Sequence, residues 1–212
     1  MFKRTVILLC GLLLTTACSA QNAAAPYTDG DQYVTIATPQ RLDPNDGKVE
    51  VVEVFSYACI HCAHFAPYAE KLRTSLPAGV SFHFVPASFS AEWEPYARAF
   101  YAARQLGVLE QTHLALFREK FEQHYPLNSL DDLASFYAAH GTTEAAFLKA
   151  ANSPRTNALL EHDFHLLQAW GIEGTPTIVV DGKYRSANIR NYDELVALTR
   201  WLVQRELKSK GG

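Results

Sequence analysis

Residues 49–62 read Val49-Glu50-Val51-Val52-Glu53-Val54-Phe55-Ser56-Tyr57-Ala58-Cys59-Ile60-His61-Cys62. The first seven are rich in β-branched side chains and nearly continuous in apolar character, as suits a central strand buried on both faces. From Ile60 to Leu76 the apolar positions Cys62, Phe65, Ala66, Ala69, Leu72 and Leu76 recur at steps of three and four, the period of a helix with one buried face. Pro67 should kink this helix rather than end it, because the pattern continues beyond it. The two thiols therefore stand where a strand hands over to a helix, Cys59 at the helix N-terminus and Cys62 one turn inside. Unpaired N–H groups and the positive end of the helix dipole stabilise a thiolate there, which lowers the pKa of Cys59 in particular. His61 can add a positive charge or a hydrogen bond.

Working outward, Val80-Ser81-Phe82-His83-Phe84 alternates as the next strand and completes a strand-helix-strand unit with an expected right-handed connection. Before it, Tyr33 to Ala37 alternates weakly as a strand, and Pro44, Asn45, Asp46 and Gly47 are turn residues. Residues 91–169 carry no strand pattern. They hold helical runs built on Trp93, Tyr96, Ala97 and Phe100, on Leu114, Phe117 and Phe121, on Leu130, Leu133, Phe136 and Tyr137, and on Leu159, Leu160, Phe164 and Leu167. Ser90, Ser129 and Thr143 are candidate caps. Thr177-Ile178-Val179-Val180 and Lys183-Tyr184-Arg185 then flank Asp181-Gly182, a two-residue hairpin turn. Asn191 with Glu194 opens a last helix like a capping box, with Leu195, Leu198 and Leu202 as its buried stripe. The order β, β-α-β, helices, β-β-α predicts an α/β fold.

The chain has 212 residues, 48% hydrophobic and 19% charged, which excludes a disordered class, and its net charge of -3 offers no basic footprint for nucleic acid or anionic lipid. Lys3 and Arg4, the apolar stretch Val6 to Leu14 and the small residues Cys18-Ser19-Ala20 read as a signal segment over 1–20. Its removal takes two of the 19 basic residues and none of the 22 acidic ones, leaving 17 against 22, or -5. Leu14-Thr15-Thr16-Ala17-Cys18 also resembles a lipoprotein signal over 1–17, which would anchor the chain through Cys18. Thr15 departs from the large aliphatic residue usual there. Cys10 leaves with the leader and Cys18 is removed or acylated, so Cys59 and Cys62 remain.

A purely structural disulfide between them would close a four-residue loop and contribute roughly 2 kcal/mol by chain entropy, less than a long-range staple, which argues for redox chemistry. A zinc site is the other alternative, since Cys59, His61, Cys62 and His64 are near in sequence. On a helix the cysteines lie about 60° apart, whereas His61 and His64 fall at about 200° and 140° from Cys59, so the four do not converge. His162 and His165 lack supporting ligands and read as ordinary histidines.

A cysteine pair after a buried strand, a helix with Pro67 five positions beyond the second cysteine, and a Thr175-Pro176 step before a hairpin together resemble the thioredoxin fold. The helical stretch 91–169, with Tyr27-Thr28-Asp29-Gly30 and Phe55-Ser56-Tyr57, resembles more narrowly the DsbA-type oxidoreductases of the bacterial periplasm. The likeness spans nearly all of the chain after the leader. It implies a thioredoxin-like fold with an inserted all-helical domain: 27–90 and 170–208 as the two thioredoxin-like parts, and 91–169 as the insertion. It further implies that Cys59 is the exposed nucleophile with a strongly depressed pKa, Cys62 its buried partner, and His61 the group that stabilises the thiolate. Pro176 would be a cis proline facing the disulfide, and Thr175 would offer backbone hydrogen bonds to a bound peptide. Glu53 would lie under the disulfide as a proton-handling group for Cys62. An acid in that apolar run should have a raised pKa, unless it points to a solvated strand end. Ile60 stands where the family has proline, and no lysine lies near Phe84 where the family often has one beside the buried acid. Both departures bear on the redox potential. The implied activity is disulfide donation to reduced, newly exported proteins by a periplasmic monomer without a cofactor, reoxidised by a quinone-linked membrane oxidase. Alternatives are an isomerase or reductase on the same fold, the isomerase disfavoured by the lack of a separate dimerisation domain, or a non-enzymatic zinc or peptide-binding module.

Overall fold

The computed structural model describes residues 25–211. The leader, its cleavage site and the lipidation reading of Cys18 lie outside them. Five strands form one sheet: β1 (Tyr33–Thr35), β2 (Val49–Phe55), β3 (Val80–Pro86), β4 (Thr177–Val180) and β5 (Tyr184–Ser186), in the order β1-β5-β4-β2-β3. β2 pairs parallel with β3 and antiparallel with β4, and every residue of β2 is buried. Helix α1 (Ile60–Ser75) connects β2 to β3 and runs unbroken through Pro67. Between β3 and β4 lie α2 (Glu94–Gln105), α3 (Leu109–Phe121), α4 (Leu130–Ala138), α5 (Glu144–Ala151) and α6 (Pro154–Trp170), and α7 (Tyr192–Lys210) closes the chain. Among the described residues no helix is long and apolar enough to cross a membrane.

Alternation along β2 sorts its side chains between two cores. Val51 packs with Phe65 and Ala69 of α1 and with Leu195, Leu198 and Leu202 of α7, while Val52 and Val54 pack with Leu166, Leu167 and Trp170 of α6. A third cluster is built on Phe100, Leu116, Leu133, Tyr137 and Phe147 of α2–α5 and reaches across to Phe55, Tyr57, Cys59 and Cys62. The cysteine end of α1 is thus seated on the helical layer.

Local differences from the sequence reading have physical reasons. Ser129 and Thr143 cap α4 and α5 through their hydroxyls, but the N-cap of α2 is Trp93, and Ser90 supplies only its carbonyl to Trp93 and Glu94. Asn191 caps α7, while the Glu194 carboxylate takes the Arg190 N–H, one residue beyond a regular capping box. Lys183 drops out of the β4–β5 ladder: its N–H closes the turn on Val180 at 2.9 Å, its carbonyl accepts from Ile36 of the neighbouring edge at 2.7 Å, and β5 starts at Tyr184.

Gly182 sits in this turn at φ +62°, and a Cβ there would lie 2.0 Å from the Gln40 carbonyl oxygen, whereas Gly47 at φ +68° has open space around it. Gly47→Ala should therefore cost only the left-handed strain, roughly 1 kcal/mol, and Gly182→Ala roughly 2–4 kcal/mol because a backbone contact must also give way. Urea unfolding of both variants checks this. Equal losses would contradict it.

Candidate active site

β2 delivers the chain to the site through Ser56, Tyr57 and Ala58. The Ser56 hydroxyl accepts the Ala58 N–H at 3.1 Å and its carbonyl accepts the Cys59 N–H at 3.1 Å, which turns the chain into α1. Cys59 is the N-cap, in extended conformation and without a side-chain capping bond, and its carbonyl receives the N–H groups of Cys62 and Ala63. A thiol in place of the usual capping oxygen leaves the helix N–H groups directed at sulfur. Cys59 retains 9% of its exposure and Cys62 none, so Cys59 is the less covered of two buried thiols rather than an exposed one, because the helical cluster packs over both. Both are free thiols.

The antiparallel register of β4 on β2, Thr177 against Val54 and Ile178 against Glu53, carries Thr175 and Pro176 to the end of the sheet where α1 begins. The Thr175–Pro176 peptide bond is cis. The Cys59 thiol donates to the Thr175 carbonyl at 3.4 Å, and the Thr175 hydroxyl is buried without a protein partner, free to turn toward a thiolate.

Other neighbours drive the two thiols apart. Cys59 is held down to about 5, first by the hydrogen bond from the Cys62 thiol, against the opposing effect of burial, and then by Thr175 and the N–H groups of Cys62 and His61. Cys62 is pushed far above the usual thiol range, first by burial and then by donating to Cys59 and by the negative charges of Cys59 and Glu53. Glu53 is 2% exposed, so it does not point to a solvated strand end, and its Oε2 has no protein partner. It shares a face of β2 with Val51 and Phe55, and its register neighbour on β3 is Phe84, which offers no charge. Burial, followed by repulsion from Cys59, raises its carboxyl to about 8.

Ile60 and His61 are exposed. Ile60 lines a groove with His64, Pro67 and Leu114, against α3. His61 lines a second groove with Tyr68, Thr175, Pro176 and Tyr192, of about 570 Å³. The structure thus gathers Cys59, Cys62, Glu53, Thr175, Pro176, Ile60 and His61 around one helix terminus. Two further participants are not readable from the sequence. The Tyr192 hydroxyl donates to the His61 carbonyl at 3.1 Å, and the Tyr57 hydroxyl bonds His113 at 2.8 Å beneath the site. Burial lowers His113 to about 4, so it is a neutral ring among Phe55, Phe84 and Phe117. No group of three or more His, Cys, Asp or Glu among the described residues is disposed to hold a metal ion.

The thioredoxin family model matches residues 44–198. The thiol:disulfide interchange protein DsbA of Pseudomonas aeruginosa is 32% identical, over 96% of this chain and 97% of its own, and that of Azotobacter vinelandii is 37% identical over 74% and 72%. The crystal structure of the oxidoreductase DsbA from Xylella fastidiosa superposes with a TM-score of 0.82 at 34% identity, covering 86% of this chain and 98% of that one. The chain belongs to the DsbA family of thioredoxin-like proteins.

Proposed function

We propose that the chain is a thiol:disulfide oxidoreductase that donates a Cys59–Cys62 disulfide to reduced, newly exported proteins on the periplasmic side of the membrane. The observation that carries this is the opposed tuning of the pair, a thiolate favoured at Cys59 and disfavoured at Cys62. A low-pKa sulfur is a good leaving group, so a reduced form with a stabilised Cys59 thiolate makes the disulfide an oxidant.

A substrate thiolate attacks Sγ of Cys59, the less buried of the two cysteines. The Cys59–Cys62 bond breaks, and its electron pair goes to Cys62. That sulfur is buried and disfavours charge, so it takes a proton, and Glu53, still a neutral acid at pH 7, is the group placed to give it. A second substrate thiolate then attacks the substrate sulfur of the mixed disulfide and expels Cys59 as a thiolate. The substrate leaves with a disulfide and the protein keeps two electrons as Cys59 thiolate and Cys62 thiol. His61 contributes its backbone N–H to the thiolate, and Thr175 and Pro176 border the groove that takes the substrate backbone. Reoxidation falls to a quinone-linked membrane oxidase, and the protein acts as a monomer.

Cys59→Ser should abolish dithiol oxidation of an unfolded reduced substrate, and Cys62→Ser, given a disulfide-bonded substrate or glutathione disulfide as the two-electron oxidant, should accumulate a mixed disulfide through Cys59. Oxidation retained by Cys59→Ser would contradict the assignment. Ultraviolet thiolate absorbance of the reduced protein should titrate with a midpoint near 5. Because Cys59 is depressed in the folded state, its contribution to the stability of the reduced form is complete above the unfolded thiol value of about 9 and is lost as pH falls through about 5. Glu53, raised to about 8, opposes this over much of the same range, so the Cys59 contribution is read from denaturant unfolding as the stability of reduced wild type minus that of reduced Cys59→Ser, which should rise with pH across that window. Glu53→Gln should slow mixed-disulfide formation about tenfold or more. It should also remove the decline that the wild-type rate, normalised to substrate thiolate, shows as pH passes about 8.

A further inference from the structure

A cavity of about 630 Å³ opens between α2, α6 and the loop after β3, with walls that include Phe89, Leu160, Phe164, Leu167 and Ile172. Phe89 and Phe164 are 45% and 54% exposed, two of the large apolar side chains that the described surface leaves in water. Such exposure rimming a concave site marks a place for a ligand. The charged residues of the lining are Glu94, Glu161, Asp163 and Arg98. Arg98 is already committed, bridging Glu94 at 2.6 Å, the Ala151 carbonyl at 3.1 Å and Asn157 Oδ1 at 2.8 Å, so the balance is acidic.

Asp163 gives the cavity its chemistry. The residue is 2% exposed. Its Oδ2 accepts the Tyr101 hydroxyl, while Oδ1 is buried with no hydrogen-bond partner. Nδ1 of His162 lies 3.5 Å from Oδ1, beyond a normal N–H···O bond, on a side chain 55% exposed. Arg104 stacks on the Tyr101 ring at 4.7 Å and attracts Asp163 only from there. A buried carboxylate oxygen with no donor is costly unless a cation or strong donor meets it.

We propose that this cavity binds an apolar group that carries an ammonium or guanidinium, its cation on Asp163 Oδ1 and its apolar body between Phe89 and Phe164. Two sources present that chemistry, a free arylalkylamine and a basic residue beside an aromatic one in a polypeptide. The cavity uses neither cysteine, so its test is independent of the disulfide chemistry.

Calorimetric titration of the oxidised wild-type protein with phenethylamine, phenethyl alcohol, hydrocinnamate and an end-blocked Phe-Lys dipeptide tests it. The amine or the blocked dipeptide should bind, the amine if a free amine is the ligand and the dipeptide if a basic side chain is. The cationic probe that binds should do so about tenfold or more tighter than the alcohol, and hydrocinnamate should not bind. Asp163→Asn, verified as folded by near-ultraviolet circular dichroism, should erase the preference for the cation. Leu160→Trp, which fills the cavity and keeps the Asp163 carboxyl, should abolish binding. Failure of both cationic probes to bind, equal affinity for cation and alcohol, or cation affinity unchanged in both variants would overturn the proposal.

Discussion

The Cys59 thiolate is favoured first by the neighbouring Cys62 thiol, then by Thr175 and the N–H groups at the start of α1, and the sulfur lies against the Thr175 carbonyl. The hydrogen bond between the thiols exists only while the pair is reduced, and only a thiolate gains the full benefit of the other donors. Forming the disulfide discards that stabilisation, so the oxidised state lies uphill and is readily passed on. Each pH unit by which Cys59 ionises below its surroundings is worth about 1.4 kcal/mol, and with a midpoint near 5 the ionisation at pH 7 displaces a two-electron couple by on the order of 60 mV toward oxidant.

The rest of the molecule makes that terminus possible. β2 must be central and buried on both faces so that α1 starts at a fixed point, and α7 and α6 supply the two covers. The antiparallel pairing of β4 then returns Thr175 and Pro176 to the same end. Burial of β2 has a chemical consequence too, because an acid at position 53 has nowhere to be solvated. With Phe84 as its neighbour and no cation at hand, it stays neutral near pH 7, as the proposed role of proton source for Cys62 requires. The helical cluster seats Tyr57 and both cysteines from the other side.

Much of this was legible because it is local. Val49–Phe55 reads as a strand, since burial on both faces writes a continuous apolar run, and the cysteine spacing places both thiols on one helix turn. β3 extends past the alternating stretch to Pro86 because Val85 and Pro86 pair with Val54 and Phe55, a register the strand itself does not encode. Helix α5 escaped as a hydrophobic run, being short and alanine-rich, with Phe147 stacked on Tyr137 of α4. In the site, the contacts of Tyr57 with His113 and of Tyr192 with His61 join residues 56 and 131 positions apart, and no periodicity announces them. Ile60 was visible as a departure from the family, and its place in an apolar groove with Leu114 emerges only from the packing of α3 beside α1.

The central claim is that the reduced pair is stabilised at Cys59 strongly enough to make the disulfide an oxidant, and equilibration of Cys59–Cys62 with glutathione at pH 7 measures this directly. The account predicts a reduction potential above about -210 mV, displaced from the roughly -270 mV of thioredoxin by at least the contribution of the ionised thiol. A value at or below that of thioredoxin would contradict it.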